Sequence, residues 1–498
     1  MITLKVKDMD IASGGPLVAI INEKDAEKMD FHHLDRIKVI YQGKIETVVI
    51  DIGKSEKAVP IGGIGLYEEV LDSLNVVDGE TIEIMPARKP LSLDFIKKKL
   101  DGFKLSKNEI DQIVWDIVHN KLSAIELTYF VAACYSHKLD SRETTLLTKA
   151  MVAHGEKLKL NRYPILDKHC IGGVAGNRTT MVIVPIIAAA GLTIPKTSSR
   201  SITSPAGTGD TMEVLADVTM PIERMKKIVE KTNGCIIWGG SLNLAPADDK
   251  IIKVEKPLAI DAESQLLASV IAKKASVSAT HLVIDIPCGN GAKLSNKKRA
   301  LQLKKDFEDI TKRMGIKTKV LITDGKQPIG NGIGPCLEAR DVLWILKNDR
   351  RGPADLRKKC LMIAGVMLEM AGKCAKGKGK EIAKEILKSG KAYNKMVEII
   401  KAQGEKIINP EDIKIGKITY DVVAKKKGVV KKISNRSISK IARVAGAPEN
   451  QGAGIYLYKH IGDKIKKGEK LFTIYCYSKH KLDFAKYALE KLDGVVVK

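Results

Sequence analysis

Over the first 87 residues, apolar side chains alternate with polar ones in short runs broken by turn residues, which predicts strands. Two of these runs are related. Residues 26–41, AEKMDFHHLDRIKVIY, match residues 71–86, LDSLNVVDGETIEIMP, at an offset of 45. Met29 and Leu74, Phe31 and Val76, Ile37 and Ile82, and Val39 and Ile84 fall in register. Each copy therefore reads as a short helix, a turn and an alternating strand. Two such halves predict a small closed barrel with pseudo-twofold symmetry. No catalytic grouping stands in it, so assembly or simple packing is its expected role.

Pro86 to Pro90 reads as a linker, and beyond it the apolar spacing becomes helical. Ser106 with Glu109, and Ser123 with Glu126, form two capping boxes ahead of periodic apolar runs. A further helix is expected from Asp140–Ser141 to Gly155. From residue 165 short apolar strands (ILD, IPKTSS, HLVIDI, KVLITD) alternate with longer helices, the signature of a mostly parallel α/β sheet. Residues 258–278 read as a helix returning to the helical block. The last stretch is β-rich, with GVVKKI at 428–433 and GDKIKKGEKLFTIY at 462–475. The expected organisation is a multidomain α/β protein: a β barrel at 1–87, a helical domain at 88–163 with a return segment near 246–278, a mostly parallel α/β domain at 164–415, and a β-rich domain at 416–498. The first domain resembles the double-psi barrel at the N-termini of some AAA ATPases. The last resembles a lipoyl-type barrel without the turn lysine that would carry biotin or lipoate.

Composition narrows the class. The 498 residues are 44% hydrophobic, which excludes wholesale disorder. The net charge is +25, but aromatics are only 4% and the lysines are spread among glutamates and apolar residues. A solvated, lysine-rich surface explains this better than a nucleic-acid interface, and its field favours small anions. The eight cysteines stand singly with no CxxC pair, which argues for a reducing compartment and against zinc ribbons or disulfides. The N-terminus MITLKVKDMD has no apolar signal core, and the longest apolar run, 181–192, contains Pro185 and is too short to span a bilayer. The expectation is a cytoplasmic protein with no membrane association. The nine histidines show no metal-ligand spacing.

Two loops carry candidate chemistry. Asp167-Lys168-His169-Cys170-Ile171-Gly172-Gly173-Val174-Ala175-Gly176-Asn177 follows a strand and leads into a helix. Its glycines let backbone N–H groups approach an anion, and Lys168, His169 and Thr179 add charge and donors. His169 reads equally as a core histidine or a ligand contact. The second loop runs from Ser198 to Asp210 and contains Ser199, Arg200, Ser201, Ile202, Thr203, Ser204 and Thr208. Hydroxyls and an arginine suit phosphate oxygens, although a Ser/Thr-rich loop alone is commonly just a loop. Both follow successive strands of an open α/β sheet, where ligands bind. Two anion sites together suit a substrate that carries one phosphate and meets a second.

The segments DKHCIGGVAGNRTT, SSRSITSPAGTGDTMEVL, GCIIWGGSLNLAPADD, DAESQLLASVIAKK and LITDGKQPIGNGIGP resemble, in order and spacing, the motif series of the thymidine and pyrimidine-nucleoside phosphorylases. The resemblance runs from about residue 93 to the C-terminus, and an extra N-terminal domain points to the branch that acts on nucleoside 5′-monophosphates such as AMP, with CMP and UMP unranked. It implies a pentosyltransferase that uses orthophosphate as co-substrate, needs no cofactor or metal, and self-associates to a dimer or larger homo-oligomer. It places phosphate on Lys168, Thr179, Ser198 and Thr208. It places the nucleotide on Gly173, Ser199, Arg200, Ser201, Ile202, Thr203, Ser204, Thr208, Ser269 and Lys293, with Lys273 near the base. Asp261 becomes the proton donor to the leaving base, where its bland alternative is a carboxylate at a helix N-terminus. The departures point the same way: Ser201, Thr203 and Ser204 stand where relatives have a Gly/His-rich loop, and Val254 replaces the arginine that reads a pyrimidine. Cys170 stands in place of a serine. The alternatives are a phosphorylase of unphosphorylated pyrimidine nucleosides, or a non-enzymatic nucleic-acid or adaptor-binding protein.

Overall fold

The computed structural model describes residues 2–14, 17–201, 204–258, 262–492 and 494–498. They form two compact units: Met1–His154 with Ala245–Ser269, and Gly155–Leu244 with Val270–Lys498.

The first unit opens with a closed six-stranded barrel. Its helices Glu23–Met29 and Glu68–Leu74 lie 45 residues apart, as do its strands Arg36–Tyr41 and Thr81–Pro86. Each helix ends on a left-handed residue, Asp30 at φ 54° and Asn75 at φ 57°, a conformation that Asn and Asp tolerate. The halves interlock. Strand Ile2–Asp8 pairs in parallel with Gly63–Leu66, while Val18–Asn22 pairs in parallel with Lys44–Gly53. The alternating residues Ile37, Val39, Ile82 and Ile84 are fully buried between them.

Four helices follow, Ser92–Leu100, Lys107–Val118, Ala124–Ser136 and Ser141–Ala153, and Pro246–Leu258 returns to them. Capping boxes form at Ser106/Glu109 and Ser123/Glu126, and a third forms at Asp140/Glu143. Glu143 also receives Lys99 at 3.0 Å in a buried pair that fixes the first helix against the fourth. Arg36 of the barrel donates to Glu126 and to the carbonyl of Lys121, at 3.0 and 3.1 Å. The return helix is tied by Lys250, whose ammonium caps the carbonyls of Ile117 and Val118 at 2.9 and 2.6 Å.

The second unit is built on parallel strands. Lys317–Asp324, His281–Cys288 and Leu166–Cys170 form one ladder, and Ile194–Ser198 with Gly234–Trp238 forms another. A single parallel bridge, Ile165 to Thr193, joins the two. His281–Cys288 and Gly234–Trp238 are buried almost throughout and read as near-continuous apolar runs, whereas Leu166–Cys170 carries Asp167, Lys168 and His169 and the edge strand Lys317–Asp324 is partly exposed. The helix Thr179–Ala189 is buried along nearly its whole length, which is why its sequence is apolar all round despite Pro185.

The C-terminal stretch is less β-rich than its strand pattern suggests. Two sheets are present, and one of them takes in the distant pair Gly332–Ile333. Two helices, Asn435–Val444 and Lys479–Lys491, pack with them. Ile438, Ile441, Ala442 and Ala445 make the helical stripe of the first, and all four are buried.

Candidate active site

The strand Leu166–Cys170 carries charge into the interior of the second unit. Asp167 is wholly buried and meets Lys274 at 2.9 Å and Lys196 at 3.9 Å. Next to it Lys168, also buried, donates to the Thr179 hydroxyl at 2.7 Å. On the adjacent strand Asp285 pairs with Lys359 at 2.8 Å and accepts from Thr323 at 2.6 Å. Burial works to raise the Asp285 carboxyl, but Lys359 and Lys168 hold it below its ordinary value. Burial, with Lys274 beside it, draws Lys196 well below the usual lysine range. Even with Lys196 neutral, three buried ammoniums, on Lys168, Lys274 and Lys359, face two carboxylates. The interior under the first loop is therefore prepared for an anion.

The loop itself requires glycine. Gly173 adopts φ +86°, and a Cβ there would overlap the backbone nitrogen of Lys293. The 292–293 segment thus packs directly onto Gly173, and Lys293 is an exposed residue. Burial followed by four lysines (Lys274, Lys196, Lys168, Lys273) lowers His169 well below its usual value, so its imidazole is neutral near pH 7. Burial and Asp285 raise the Cys170 thiol, whose sulfur accepts from the Asn177 amide at 3.1 Å. Cys170 is a protonated thiol in this setting, not a thiolate.

The second loop is held from both ends by Asp210, which accepts from the backbone N–H of Ser201 and of Gly207, each at 2.7 Å. Ser201 and Ser204 are linked, the Ser201 hydroxyl donating to the Ser204 carbonyl. Ser198 donates to the Ile237 carbonyl at 3.2 Å, and the exposed Ser199 accepts Gly209 through its carbonyl at 3.1 Å. Arg200 is engaged bidentately by Glu213 at 2.9 and 2.7 Å and lies 4.8 Å from the Trp238 ring centre. Ile202 and Thr203 lie outside the described residues, as does Asp261.

Arg178, which the loop chemistry did not single out, joins the two loops. It sits at the N-cap of the helix after the first loop and donates to the Thr208 hydroxyl at 3.0 Å and to the Ala206 carbonyl at 2.8 Å. Glu338 neutralises it in a buried ion pair, and the other Glu338 oxygen accepts the Gly334 N–H at 3.1 Å. Because Thr208 Oγ1 accepts from Arg178, and Thr179 Oγ1 from Lys168, each hydroxyl proton is directed elsewhere. Both threonines are thus set to donate to an anion. Asn435, from the C-terminal segment, was equally invisible to local pattern. Its buried side chain accepts from Ala175 N–H at 3.2 Å and donates to the Gly325 carbonyl at 3.0 Å.

Ser269 belongs to the first unit, on the helix Glu263–Ser276, and donates to Asp248 at 2.8 Å. Lys273 follows it one turn later and is half-buried.

Comparison with known proteins settles the family. Residues 93–155 match the helical bundle domain of a glycosyl transferase family, residues 162–393 its a/b domain, and residues 429–493 the pyrimidine nucleoside phosphorylase C-terminal domain. An AMP phosphorylase from Pyrococcus furiosus is 47% identical, over 99% of this chain and 97% of its own length. The chain belongs to the AMP phosphorylase family. Another member of that family, from Thermococcus kodakarensis, is 48% identical over 97% of this chain and 95% of its own. A third, from Methanocaldococcus jannaschii, is 44% identical over 97% and 95%. Among solved structures, anthranilate phosphoribosyltransferase from Thermus thermophilus has a TM-score of 0.53 at 19% identity, covering 62% of this chain and 99% of its own, a likeness of fold alone. No helix among the described residues of this AMP phosphorylase family member is long and apolar enough to cross a membrane.

Proposed function

We propose that this protein splits AMP with orthophosphate, releasing adenine and forming ribose 1,5-bisphosphate. The full-length kinship with AMP phosphorylases carries this conclusion. The C1′–N9 bond breaks with its electron pair leaving on the base, and a phosphate oxygen forms the new bond at C1′. Lys168, Thr179, Ser198, Thr208 and the first-loop amides hold the attacking phosphate. The buried excess of ammonium over carboxylate supports that assignment, since it stabilises a bound dianion in a site of low dielectric. Asp261 protonates the departing base, relieving the charge that develops on it. Gly173, Ser199, Ser201, Ile202, Thr203, Ser204, Thr208, Ser269 and Lys293 form the nucleotide side of the site. Arg200 serves that side indirectly, because Glu213 already occupies its fork.

The crossed parallel strand pairs of the N-terminal barrel support a double-psi reading, and assembly into a homo-oligomer is its role. The two C-terminal sheets support a lipoyl-like structural domain. The reaction as written needs neither metal nor organic cofactor, and the protein works in the cytoplasm.

The test is a pair of kcat/KM values, for AMP and for adenosine. Several hydrogen bonds to a charged phosphate predict a preference for AMP of roughly a thousandfold. Replacing Ser201 and Thr203 by Gly should collapse that preference while the KM for phosphate holds. Equal values for AMP and adenosine on the wild type would return the protein to the nucleoside phosphorylases.

A further inference from the structure

Parallel pairing decides which buried charges share a face of the sheet. Strand Leu166–Cys170 lies against His281–Cys288 with Lys168 opposite Val283 and Cys170 opposite Asp285. Side chains two residues apart on a strand point the same way, so Lys168, Cys170 and Asp285 share one face and Asp167 lies on the other. On its face Asp167 is met by Lys274 and Lys196. Asp285 is met by Lys359, at 2.8 Å, from the helix Ala354–Met370. The next residue of that helix, Cys360, directs its thiol to the Thr179 carbonyl at 3.8 Å. The helix therefore lies against the residue whose hydroxyl Lys168 bonds.

Lys168 and Asp285 are diagonal neighbours on adjacent strands, with backbones about 8 Å apart, a span that a lysine side chain covers. Opposite charges so placed in a buried setting attract strongly. Lys168 nevertheless donates to the Thr179 hydroxyl at 2.7 Å, while Lys359 occupies the carboxylate. We propose that Lys359 is a positioning residue for orthophosphate: it neutralises Asp285, and so leaves the Lys168 ammonium to the incoming anion. The proposal rests on the phosphorolysis reading, with orthophosphate on Lys168. An ammonium has three donors, so Lys168 bonds Thr179 and still offers N–H groups to phosphate. Without Lys359 the ammonium surplus beneath the first loop disappears, and a bound dianion must compete with Asp285 for Lys168. Removing the Asp285 charge as well restores the surplus.

The test measures KM for orthophosphate, KM for AMP and kcat in the wild type, in Lys359→Met and Lys359→Gln, and in each of these combined with Asp285→Asn. Either single variant leaves Asp285 charged and should raise the orthophosphate KM by about 10- to 100-fold, while the AMP KM stays within about threefold. Lys359→Gln keeps a hydrogen-bond donor for Asp285 and guards against a folding defect in Lys359→Met. Asp285→Asn removes the competing charge and keeps an acceptor for Thr323, so each double variant should return the orthophosphate KM to within about threefold of wild type. A wild type that cleaves AMP without consuming orthophosphate would remove the phosphorolysis reading itself. In a wild type that does consume it, three results would each overturn the role of Lys359 alone: an unchanged orthophosphate KM in the single variants, an equal rise in both KM values, or double variants as weak as the singles.

Discussion

The loop after strand Leu166–Cys170 and the loop after strand Ile194–Ser198 offer an anion similar atoms, amides and hydroxyls, yet they rest on opposite electrostatics. Beneath the first lies a buried surplus of positive charge. Lys168 is 1% exposed and bonds a threonine hydroxyl. Around the second, Arg178 and Arg200 are each matched by a carboxylate and Asp210 ties the backbone. The first is a site whose desolvated charge attracts a ligand strongly and tolerates little rearrangement. The second is a shaped cradle in which geometry selects. In the proposed reaction the first suits the mobile co-substrate, which has no other handle, with Ser198 and Thr208 of the second loop assisting. In the same proposal a phosphate already tethered to a nucleoside meets the second, where shape does more of the selecting than net charge.

The largest effect should come from removing the charge of the first loop. Lys168→Met is expected to lower kcat/KM by roughly a thousandfold, and by the same factor whether AMP or adenosine is the partner substrate. Thermal stability should hold or rise, because an apolar side chain replaces a buried ammonium. Activity assays with a melting curve check both halves. A loss confined to AMP would reverse the assignment of the two loops.

A smaller effect, on both loops together, is expected at Arg178. Arg178→Lys keeps the partner for Glu338 but loses the fork that reaches Thr208 and Ala206. KM should rise for AMP and for phosphate alike, with a combined loss in kcat/KM of about tenfold. In a Thr208→Val background the same change should cost much less, because its target is already gone. Additive losses would show that Arg178 only stabilises the fold.

The contrast also explains what the sequence could and could not reveal. Lys168, Thr179, Ser198 and Thr208 stand within a few residues of strand ends and glycines, so local pattern finds them. The barrel repeat is legible for the same reason, since each half forms its own helix and strand. Asp285, Glu338, Lys359 and Asn435 reach the loops from far along the chain, and nothing near them in sequence announces a site. Arg178 lies inside a recognised motif but reads as an ordinary polar residue until Thr208 appears beside it. The helix Asn435–Val444 was hidden differently. Its Ile438, Ile441 and Ala442 spacing is helical, but it is embedded between short strand-like runs that dominate the reading of the stretch.

The smallest expected effect concerns the support of the first loop from below. Ile329 N–H donates to the Ala175 carbonyl at 3.0 Å, and a Cβ on Gly176 would overlap the Ile329 carbonyl, so the 329–332 turn underlies the glycine loop. Asp341 holds that turn through Asn331 N–H at 2.8 Å and Gly332 N–H at 2.6 Å. Burial pushes its carboxyl up to about 7, against the pull of those two amides and Arg340. The folded state therefore holds the Asp341 proton more tightly than the unfolded chain does, whose carboxyl keeps an ordinary value near 4. Its contribution to stability is fully present below that value and is lost as the pH rises through about 7. Asp341→Asn carries no such proton, so the difference in melting temperature between variant and wild type should move in the variant's favour between pH 4 and pH 8. The shift should amount to a few degrees, modest for a chain of this size. Unfolding curves at half-unit pH steps read it directly, and parallel pH profiles for the two proteins would remove Asp341 as the group that titrates beneath the loop.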